Sequence, residues 1–476
     1  MATGRLATSS AVVTAVTVVT TLCQLPRLGG GLSADEAATL FSSRLTFGEL
    51  AHQAGRVDLV LTPYYALIHL WRTVVPGVVG LRLPSLLAYS AVVAVTGVWA
   101  SRRWSPAAGG VAATVVGLNP LLSAAAVEAR PYALATLAVV LSLYGLDRWR
   151  TSRRPGALAL CLVAGLVAVS LQVMLALALV LVPPFLLAGV PRGRARRAGA
   201  VVYGGLVVAT AGLLLASLPE RTQVAWITRP SALVGVIDLA GTALGSRGLY
   251  LGVLALVVVA ALGSGYARDL HAHARATLGD VAPFLVWAIA PGAVLLVVSL
   301  VHPVFIARYV TESAPGLGLS FGGLVARAPR VVTTHAAPRV VAGLGAIALV
   351  ASLLLGPAPT SGNDDLAPVS AFLVAHARGG VVALGSPTLA AAVRSYEPRD
   401  GTVRLWPLDG PAHTILTPIA TGPTAFAHAG PEVWVVVDHD ASFPRLAALR
   451  HGLAARGYHP TSGASFPEVV ITRWTR

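Results

Sequence analysis

The chain has 476 residues, of which 55% are hydrophobic and only 12% are charged, and its mean hydropathy is +0.73. A soluble globular domain carries about 25% charged residues, so the composition excludes an ordinary soluble protein and indicates a multi-span membrane protein. The formal net charge of +15 does not indicate nucleic-acid binding. All 35 basic residues are arginines, and many lie in short gaps between apolar runs rather than on a basic face with interleaved aromatic residues.

Neither the two cysteines nor the N-terminal apolar run indicates a secreted, disulfide-bonded protein. Cys23 and Cys161 each lie inside an apolar run and provide no disulfide framework, so we interpret them as small residues facing lipid or the core. The run that follows Arg5 lacks a clear A-x-A cleavage site, so we predict a retained first span rather than a signal peptide.

Eleven apolar stretches approach the length of about 20 residues that a membrane-spanning helix needs. They are 7–25, 82–101, 107–126, 132–148, 157–171, 173–190, 199–218, 246–264, 281–301, 309–326 and 340–356. Arginine-rich gaps follow every second one of them, which predicts a cytoplasmic N-terminus. The fifth and sixth stretches are separated only by Leu171-Gln172, and merging them would move the later arginines to the outside.

This pattern predicts a multi-span α-helical membrane protein of the plasma membrane, organised in two parts. Residues 1–356 form the transmembrane domain, whose first external loop is 26–81 and contains short interfacial helices. After a Pro- and Gly-containing linker, residues 357–476 alternate short apolar strands with helical patterns. That alternation predicts a small extracytoplasmic α/β domain with a largely parallel sheet. Its Asp438-His439-Asp440 segment fits a polar turn better than a metal site.

The first candidate for chemistry is the adjacent pair Asp35 and Glu36, just beyond the first span. Ionisable residues so close to a membrane boundary are costly to place unless they face water or a site. A carboxylate there can act as the general base that takes a proton from an acceptor hydroxyl. The structural alternative is helix capping, because Ser33 to Glu36 has the spacing of a capping box. Both readings are compatible if Glu36 caps the helix and Asp35 faces a site.

A second candidate lies about twenty residues further on, where Asp58 precedes Tyr64 and Tyr65. In the functional reading Asp58 contacts an acceptor or a metal and the tyrosines line a sugar or lipid pocket. In the structural reading Asp58 is a loop residue and the tyrosines form an interfacial belt. Asp35 and Asp58 are also the candidate ligands of a divalent cation, Mg²⁺ or Mn²⁺.

Two further segments provide arginines on the predicted external face. Glu128, Arg130 and Tyr132 lie in the gap before the fourth span, and Arg308 and Tyr309 open the tenth. A guanidinium group suits bidentate contacts with phosphate, so Arg130 and Arg308 are candidate phosphate ligands. The alternatives are a Glu128–Arg130 pair that fixes the loop and an arginine that snorkels at a helix end.

Taken together, these motifs resemble a known class of enzymes. They are Asp35-Glu36 after the first span, Val57-Asp58 leading to Tyr64-Tyr65, Leu81-Arg82-Leu83-Pro84-Ser85, Glu128-Ala129-Arg130-Pro131-Tyr132 and Arg308-Tyr309. In order and placement they resemble integral-membrane GT-C glycosyltransferases, in particular the protein-mannosyltransferase and aminoarabinose-transferase-like branch of actinobacterial type. The resemblance covers about residues 7–356. This sequence departs from the pattern at Leu61 and Gln172, where histidines would be expected.

The resemblance implies a polyprenyl-phosphate sugar donor and an inverting transfer to an extracytoplasmic hydroxyl of a protein, lipid or glycan. It further implies Asp35 as the base, Arg130 or Arg308 at the donor phosphate, and mannose as the transferred sugar. The main alternative is a transporter or flippase of lipid-linked envelope intermediates, which would show acidic residues near the bilayer midplane. A non-catalytic envelope scaffold would explain the tail but not the acidic and arginine set.

Overall fold

The structure is a computed structural model that describes residues 2–220, 227, 270–327 and parts of the tail. The described parts of the tail are 366–377, 380–384, 392–393, 395, 404–406, 420–421, 423–438, 446–466 and 469–476. Side chains are described from residue 11 and, in the helix that begins at Leu270, from residue 279. The predicted spans 246–264 and 340–356 and the linker lie outside the described residues.

The chain divides into two compact units. The helical unit comprises residues 1–28 and 82–358, and the mixed unit comprises residues 29–81 and 359–476. The first loop is therefore grouped with the tail, and the domain division predicted from composition stays a prediction.

Seventeen α-helices are assigned within the described residues. In chain order they are α1 (Ala2–Leu22), α2 (Ala34–Ser42), α3 (Phe47–Ala54), α4 (Thr62–Arg72), α5 (Gly77–Arg103), α6 (Pro106–Gly117), α7 (Pro120–Ala125), α8 (Tyr132–Ser152), α9 (Pro155–Leu171), α10 (Leu177–Leu181), α11 (Pro183–Ala188), α12 (Arg194–Ala216), α13 (Leu270–Ser299), α14 (Ser313–Arg327), α15 (Ala367–His376), α16 (Pro423–Phe426) and α17 (Leu446–Ala454). In the part of the chain described, three helical stretches are long and apolar enough to cross a membrane: Gly77–Arg103, Arg194–Ala216 and Gly279–Ser299.

Several predicted spans are interrupted for a local chemical reason. Stretch 107–126 divides into α6 and α7 because Asn119 caps the second helix, accepting from the N–H of Leu122 at 3.1 Å, and Pro120 occupies its first position. Stretch 173–190 likewise divides into α10 and α11, where Pro183 begins the second piece. The predicted separation of the fifth and sixth stretches is confirmed, since α9 ends at Leu171 and Gln172 is extended.

Small residues let the helices of the helical unit approach closely. A side-chain carbon placed on Gly318 or Gly322 of α14 would lie 2.8 Å from a main-chain carbonyl oxygen of α6, that of Ala112 or Ala108. Glycine at these positions therefore allows α14 and α6 to pack backbone to backbone, as helices within membranes commonly do.

One end of the helical unit carries a network of ion pairs. Arg103, at the end of α5, bonds Asp147 of α8 at 2.6 Å and Asp280 of α13 at 2.5 Å. Asp147 also accepts from Arg150 at 3.1 Å, and Asp280 accepts from Arg327 of α14 at 2.9 Å. Three of the predicted arginine-rich gaps therefore meet at the same end, as the topology requires. Which side of a membrane this end faces stays a prediction.

The mixed unit contains a five-stranded sheet built from the tail. Its strands are β1 (Val381–Leu384), β2 (Arg404–Leu405), β3 (Glu432–Asp438), β4 (His459–Ser465) and β5 (Val469–Thr475), in the spatial order β2-β1-β3-β5-β4. The three apolar strands that the sequence predicts, at 381–384, 433–437 and 469–472, are confirmed as β1, β3 and β5. The expectation of a largely parallel sheet is wrong. Strand β1 is parallel to β2 and β3, whereas β5 is antiparallel to β3 and β4. The short connection between β4 and β5 permits only an antiparallel hairpin.

The acidic stretch of the first loop packs against the tail. The backbone N–H of Leu366, just before α15, donates to the carbonyl of Leu32 at 3.0 Å. Ala37 of α2 is fully buried in a hydrophobic cluster with tail residues that include Leu373 and Val436. The tail therefore supports the helix on which Asp35 lies.

Candidate functional site

The two acidic residues at the start of α2 have different environments. Ser33 Oγ accepts from the N–H of Glu36 at 3.2 Å, and Glu36 Oε2 accepts from the N–H of Ser33 at 3.1 Å, so the predicted capping box is confirmed. Glu36 is buried in this role, while Asp35 is half-buried in the first helical turn. Asp35 lies outside the capping box, and the positive end of the helix dipole stabilises its negative charge.

Asp58 is fixed in an unusual backbone conformation by its neighbours. Its φ of +59° is left-handed, a region that aspartate enters more readily than most residues. The hydroxyl of Tyr65 donates to Asp58 Oδ2 at 2.8 Å, and the Asp58 carbonyl accepts from the N–H of Thr62 at 2.9 Å. Tyr64 and Tyr65 are fully buried. They therefore pack inside the mixed unit and do not form an interfacial belt.

Three basic side chains, Arg44, His69 and Arg72, lie near the C-terminal ends of α2 and α4. His69 Nδ1 is 3.1 Å from the carbonyl oxygen of Ser43, and Arg72 donates to Ser43 Oγ at 3.1 Å. Burial lowers the pKa of Arg72, with a further lowering from the nearby charge of Arg44, and burial alone lowers the pKa of Arg44. His69 is therefore a hydrogen-bonded residue of the packing between α2 and α4.

In the helical unit, the segment before α8 is held by α5. Arg130 is 7% exposed, and its carbonyl accepts from Ser85 Oγ at 3.3 Å. Its backbone N–H donates to the carbonyl of Glu128 at 2.9 Å, which closes a tight turn. Two segments of the sequence motif, at Ser85 and Arg130, thus meet in the structure.

The segment before α14 contacts the start of α8. Arg308 and Tyr309 lie in a 3-10 helix, Ala307–Val310. The guanidinium carbon of Arg308 is 5.9 Å from the centre of the Tyr132 ring, and the Tyr309 and Tyr132 ring centres are 6.3 Å apart. Arg308, Tyr309 and Tyr132 therefore form one cluster, at the end of the helical unit that also holds Arg130.

The predicted divalent cation at Asp35 and Asp58 requires a cluster of ligand side chains. Among the described residues, no group of three or more histidine, cysteine, aspartate or glutamate side chains is placed to hold a metal ion. One oxygen of Asp58 is already engaged by Tyr65. A divalent cation held by Asp35 and Asp58 therefore stays a prediction. His439 and Asp440 lie outside the described residues.

Three polar groups of the helical unit, two of them buried, were not among the predicted site residues, although Arg82 lies in one of the sequence motifs. Arg82, 4% exposed, donates to the carbonyl of Leu28 at 2.9 Å, and Arg27 donates to the carbonyl of Ser123 at 3.3 Å. Glu312 is fully buried just before α14, and neither carboxylate oxygen has a hydrogen-bond partner in the described part of the chain. An acidic residue inside the predicted span 309–326 was the available signal, because ionisable residues within spans indicate function.

The predicted residues thus form two groups, one in each unit. The mixed unit presents a carboxylate at a helix N-terminus together with a hydrogen-bonded aspartate. The helical unit presents arginines with neighbouring tyrosines, which can bind an anion. The bundle of apolar helices in the helical unit fits the GT-C class of fold that the sequence motifs resemble.

Comparison with solved structures supports this class at the level of the fold. The apo crystal structure of ArnT from Cupriavidus metallidurans matches with a TM-score of 0.58 and 16% identity, over 96% of this chain and 97% of that chain. ArnT from the same organism bound to undecaprenyl phosphate matches with a TM-score of 0.57, 16% identity and 97% coverage of both chains. The predicted resemblance to the aminoarabinose-transferase-like GT-C enzymes is therefore confirmed for the fold.

Other comparisons add less. The mycobacterial arabinofuranosyltransferase AftD matches with a TM-score of 0.47 and 16% identity, over 98% of this chain and 39% of that chain. No family profile matches the chain, and no curated protein sequence matches it.

Proposed function

We propose that the protein is a membrane glycosyltransferase that moves a sugar from a polyprenyl-phosphate donor to an acceptor hydroxyl with inversion. The observation that carries the proposal is the ArnT-like fold combined with an acidic residue, Asp35, that lies at the start of a helix and outside its capping box. ArnT itself has been crystallised with undecaprenyl phosphate, which supports a lipid-phosphate donor for this fold.

Asp35 is the proposed general base. Its carboxylate takes the proton of the acceptor hydroxyl while the acceptor oxygen forms a bond to the anomeric carbon of the sugar. The bond from that carbon to the phosphate oxygen breaks, and polyprenyl phosphate leaves with the bonding electrons. Glu36, the other predicted catalytic residue, supports Asp35 by capping the helix, because its carboxylate is bonded to Ser33.

Arginines of the helical unit are the proposed ligands of the leaving phosphate. Arg130 and Arg308 can stabilise the charge that grows on the phosphate oxygens, a large contribution to catalysis in water-poor sites. Tyr132 and Tyr309 line the cluster around Arg308, and Glu128 closes the turn before Arg130. Because Arg130 and Arg308 stabilise the leaving phosphate in this proposal, we expect transfer to persist when EDTA removes divalent cations.

The mixed unit supplies the proposed acceptor contacts. Asp58 is oriented by Tyr65, and Tyr64 packs beside Tyr65 with ring centres 6.4 Å apart. We propose mannose as the first sugar to test. The proposed location is the plasma membrane, with a cytoplasmic N-terminus, the tail outside, and a lipid, glycan or protein as acceptor.

A lipid-linked-intermediate transporter remains the second candidate because of Glu312. A buried acidic residue without a protein partner among the described residues is typical of transport pathways. The two candidates differ in one product: the enzyme yields a covalently glycosylated acceptor, whereas a transporter moves the lipid-linked sugar unchanged. Radiolabelled polyprenyl-phosphate-mannose, followed by chromatography of the products, separates them.

A further inference from the structure

The helical unit is interrupted between Leu28 and Arg82, and a buried hydrogen bond joins these two residues. The chain leaves the helical unit after Leu28 and returns to it at Arg82. Arg82 Nη1 donates to the carbonyl oxygen of Leu28 at 2.9 Å, and the side chain is almost completely buried. A hydrogen bond from a charged donor is strong in such surroundings. The point from which the segment with Asp35 starts is therefore fixed.

The same face of α5 also holds the backbone of Arg130. Ser85 follows Arg82 by three residues, a spacing that puts both side chains on one face of the helix. Ser85 is fully buried, and its hydroxyl donates to the carbonyl oxygen of Arg130 at 3.3 Å. One turn of α5 therefore contacts two separate segments, the end of the N-terminal helical region and the turn before α8.

We infer that Arg82 and Ser85 are positioning residues of the transfer reaction, a role that rests on the proposed function. Arg82 fixes the start of the segment that carries the base seven residues later, at Asp35. Ser85 fixes the backbone of the proposed phosphate ligand Arg130. Each of these contacts is made to a main-chain carbonyl, so both residues act through the groups they hold.

The two contacts predict opposite kinetic effects. Loss of the Arg82 contact loosens the base and lowers kcat, while the KM for the donor stays within about twofold. Loss of the Ser85 contact displaces Arg130 and raises the donor KM, with a smaller effect on kcat. A purely structural role would instead lower the amount of folded enzyme and leave both constants of the remainder unchanged.

The test measures transfer from polyprenyl-phosphate-mannose, polyprenyl-phosphate-glucose and polyprenyl-phosphate-arabinose by full-length wild type, Arg82→Gln, Arg82→Lys and Ser85→Ala. We expect kcat to fall at least about tenfold in Arg82→Gln, recovery of most of that loss in Arg82→Lys, and an increase of about tenfold in donor KM in Ser85→Ala. Ser90→Ala is the matched control, because Ser90 lies on α5 and hydrogen-bonds Thr21 of α1 at 2.8 Å. Equal effects of all the substitutions on both constants would overturn the inference.

Hydrogen exchange of the same proteins tests the role of the hydrogen bond between Arg82 and the Leu28 carbonyl without enzymatic activity. Arg82→Gln is expected to accelerate exchange about tenfold at the amides of residues 29–36, while Ser90→Ala leaves them unchanged. Unchanged exchange in Arg82→Gln overturns the inference even if the enzyme is active. A wild type that transfers no sugar from any donor would contradict the proposed function. Accelerated exchange in Arg82→Gln would then still show that the Arg82–Leu28 hydrogen bond orders residues 29–36.

Discussion

Leu366 and Leu32 are joined by a backbone hydrogen bond of 3.0 Å, although 333 positions separate them in the sequence. The bond ties the start of α15 to the residue that precedes the Ser33–Glu36 capping box. The tail is thus part of the support for the proposed base, and a change in its core is expected to affect the acidic stretch.

Replacing Leu373 with alanine tests this support. Leu373 is fully buried in the cluster that contains Ala37, and a leucine-to-alanine change in a core costs about 2–5 kcal/mol. We expect a lower midpoint for thermal unfolding and faster proteolysis of the 29–81 segment in the purified protein. Ala375→Ser, at an exposed position of the same helix, is the control. Proteolysis of that segment at the wild-type rate in Leu373→Ala would show that the tail does not support it.

Substitutions at the hydrogen bond between Asp58 and Tyr65 distinguish a structural role of Asp58 from a functional one. Asparagine keeps an acceptor for the Tyr65 hydroxyl and tolerates the positive φ, so Asp58→Asn should remain within about 1 kcal/mol of wild-type stability. If Asp58 binds the acceptor through its charge, kcat/KM for the acceptor should fall about tenfold or more. Chemical denaturation and acceptor-dependent kinetics measure the two effects.

Tyr65→Phe provides the matched variant for that experiment. It removes the hydrogen bond from the Tyr65 hydroxyl to Asp58 Oδ2, and a hydrogen bond to a charged acceptor contributes about 1.5–3 kcal/mol. Wild-type acceptor kinetics in Asp58→Asn would contradict a role of the Asp58 charge in binding.

Arg308 is expected to contribute to donor binding. Arg308→Gln removes the charge beside Tyr132 and Tyr309, so the KM for the donor should rise about tenfold or more, and Arg308→Lys should recover only part of the loss because lysine lacks the bidentate geometry. His302→Ala, an exposed neighbour in the same segment, should behave as wild type. An unchanged donor KM in Arg308→Gln would remove Arg308 from the phosphate site.

The ion pairs around Arg103 are expected to hold the other end of the helical unit together. The side chains of Arg103 and Asp147 are only 9% and 8% exposed, and removing one partner of such a buried pair costs about 3–5 kcal/mol. Thermal unfolding in detergent should therefore show a clear loss of stability for Arg103→Gln and little change for Arg148→Gln, whose side chain is exposed. Equal stability of the two variants would mean that the network does not contribute to holding that end.

Much of the local structure follows from the sequence. The capping box at Ser33 and Glu36, the end of α9 at Gln172 and the strands around Val381 and Val433 are set by short-range chemistry and apolar patterning, which a single sequence displays. Strand β4 was missed because it is a polar edge strand, exposed along most of its length, and shows no apolar alternation.

Long-range pairing is the part that the sequence did not provide. The contact of Leu32 with Leu366, the bond of Ser85 to Arg130 and the pairing of Asp147 with Arg103 join distant positions whose residue types are individually ordinary. The candidate site residues Asp35, Arg130 and Arg308 were proposed from a resemblance and from their placement next to predicted spans. Glu312 was not predicted because it lies inside an apolar stretch, whereas the other candidate residues lie at the ends of such stretches.

The central claim is that Asp35 acts as the base of a glycosyl transfer, and transfer from radiolabelled polyprenyl-phosphate-mannose, -glucose and -arabinose tests it most directly. Membranes containing equal amounts of wild type, Asp35→Asn and Glu36→Gln are compared. We expect transfer by the wild type, a loss of about a hundredfold or more in Asp35→Asn, and a smaller loss in Glu36→Gln through weaker capping. Wild-type rates in Asp35→Asn would contradict the assignment of the base, and no transfer by the wild type from any of the donors would contradict the proposed enzyme.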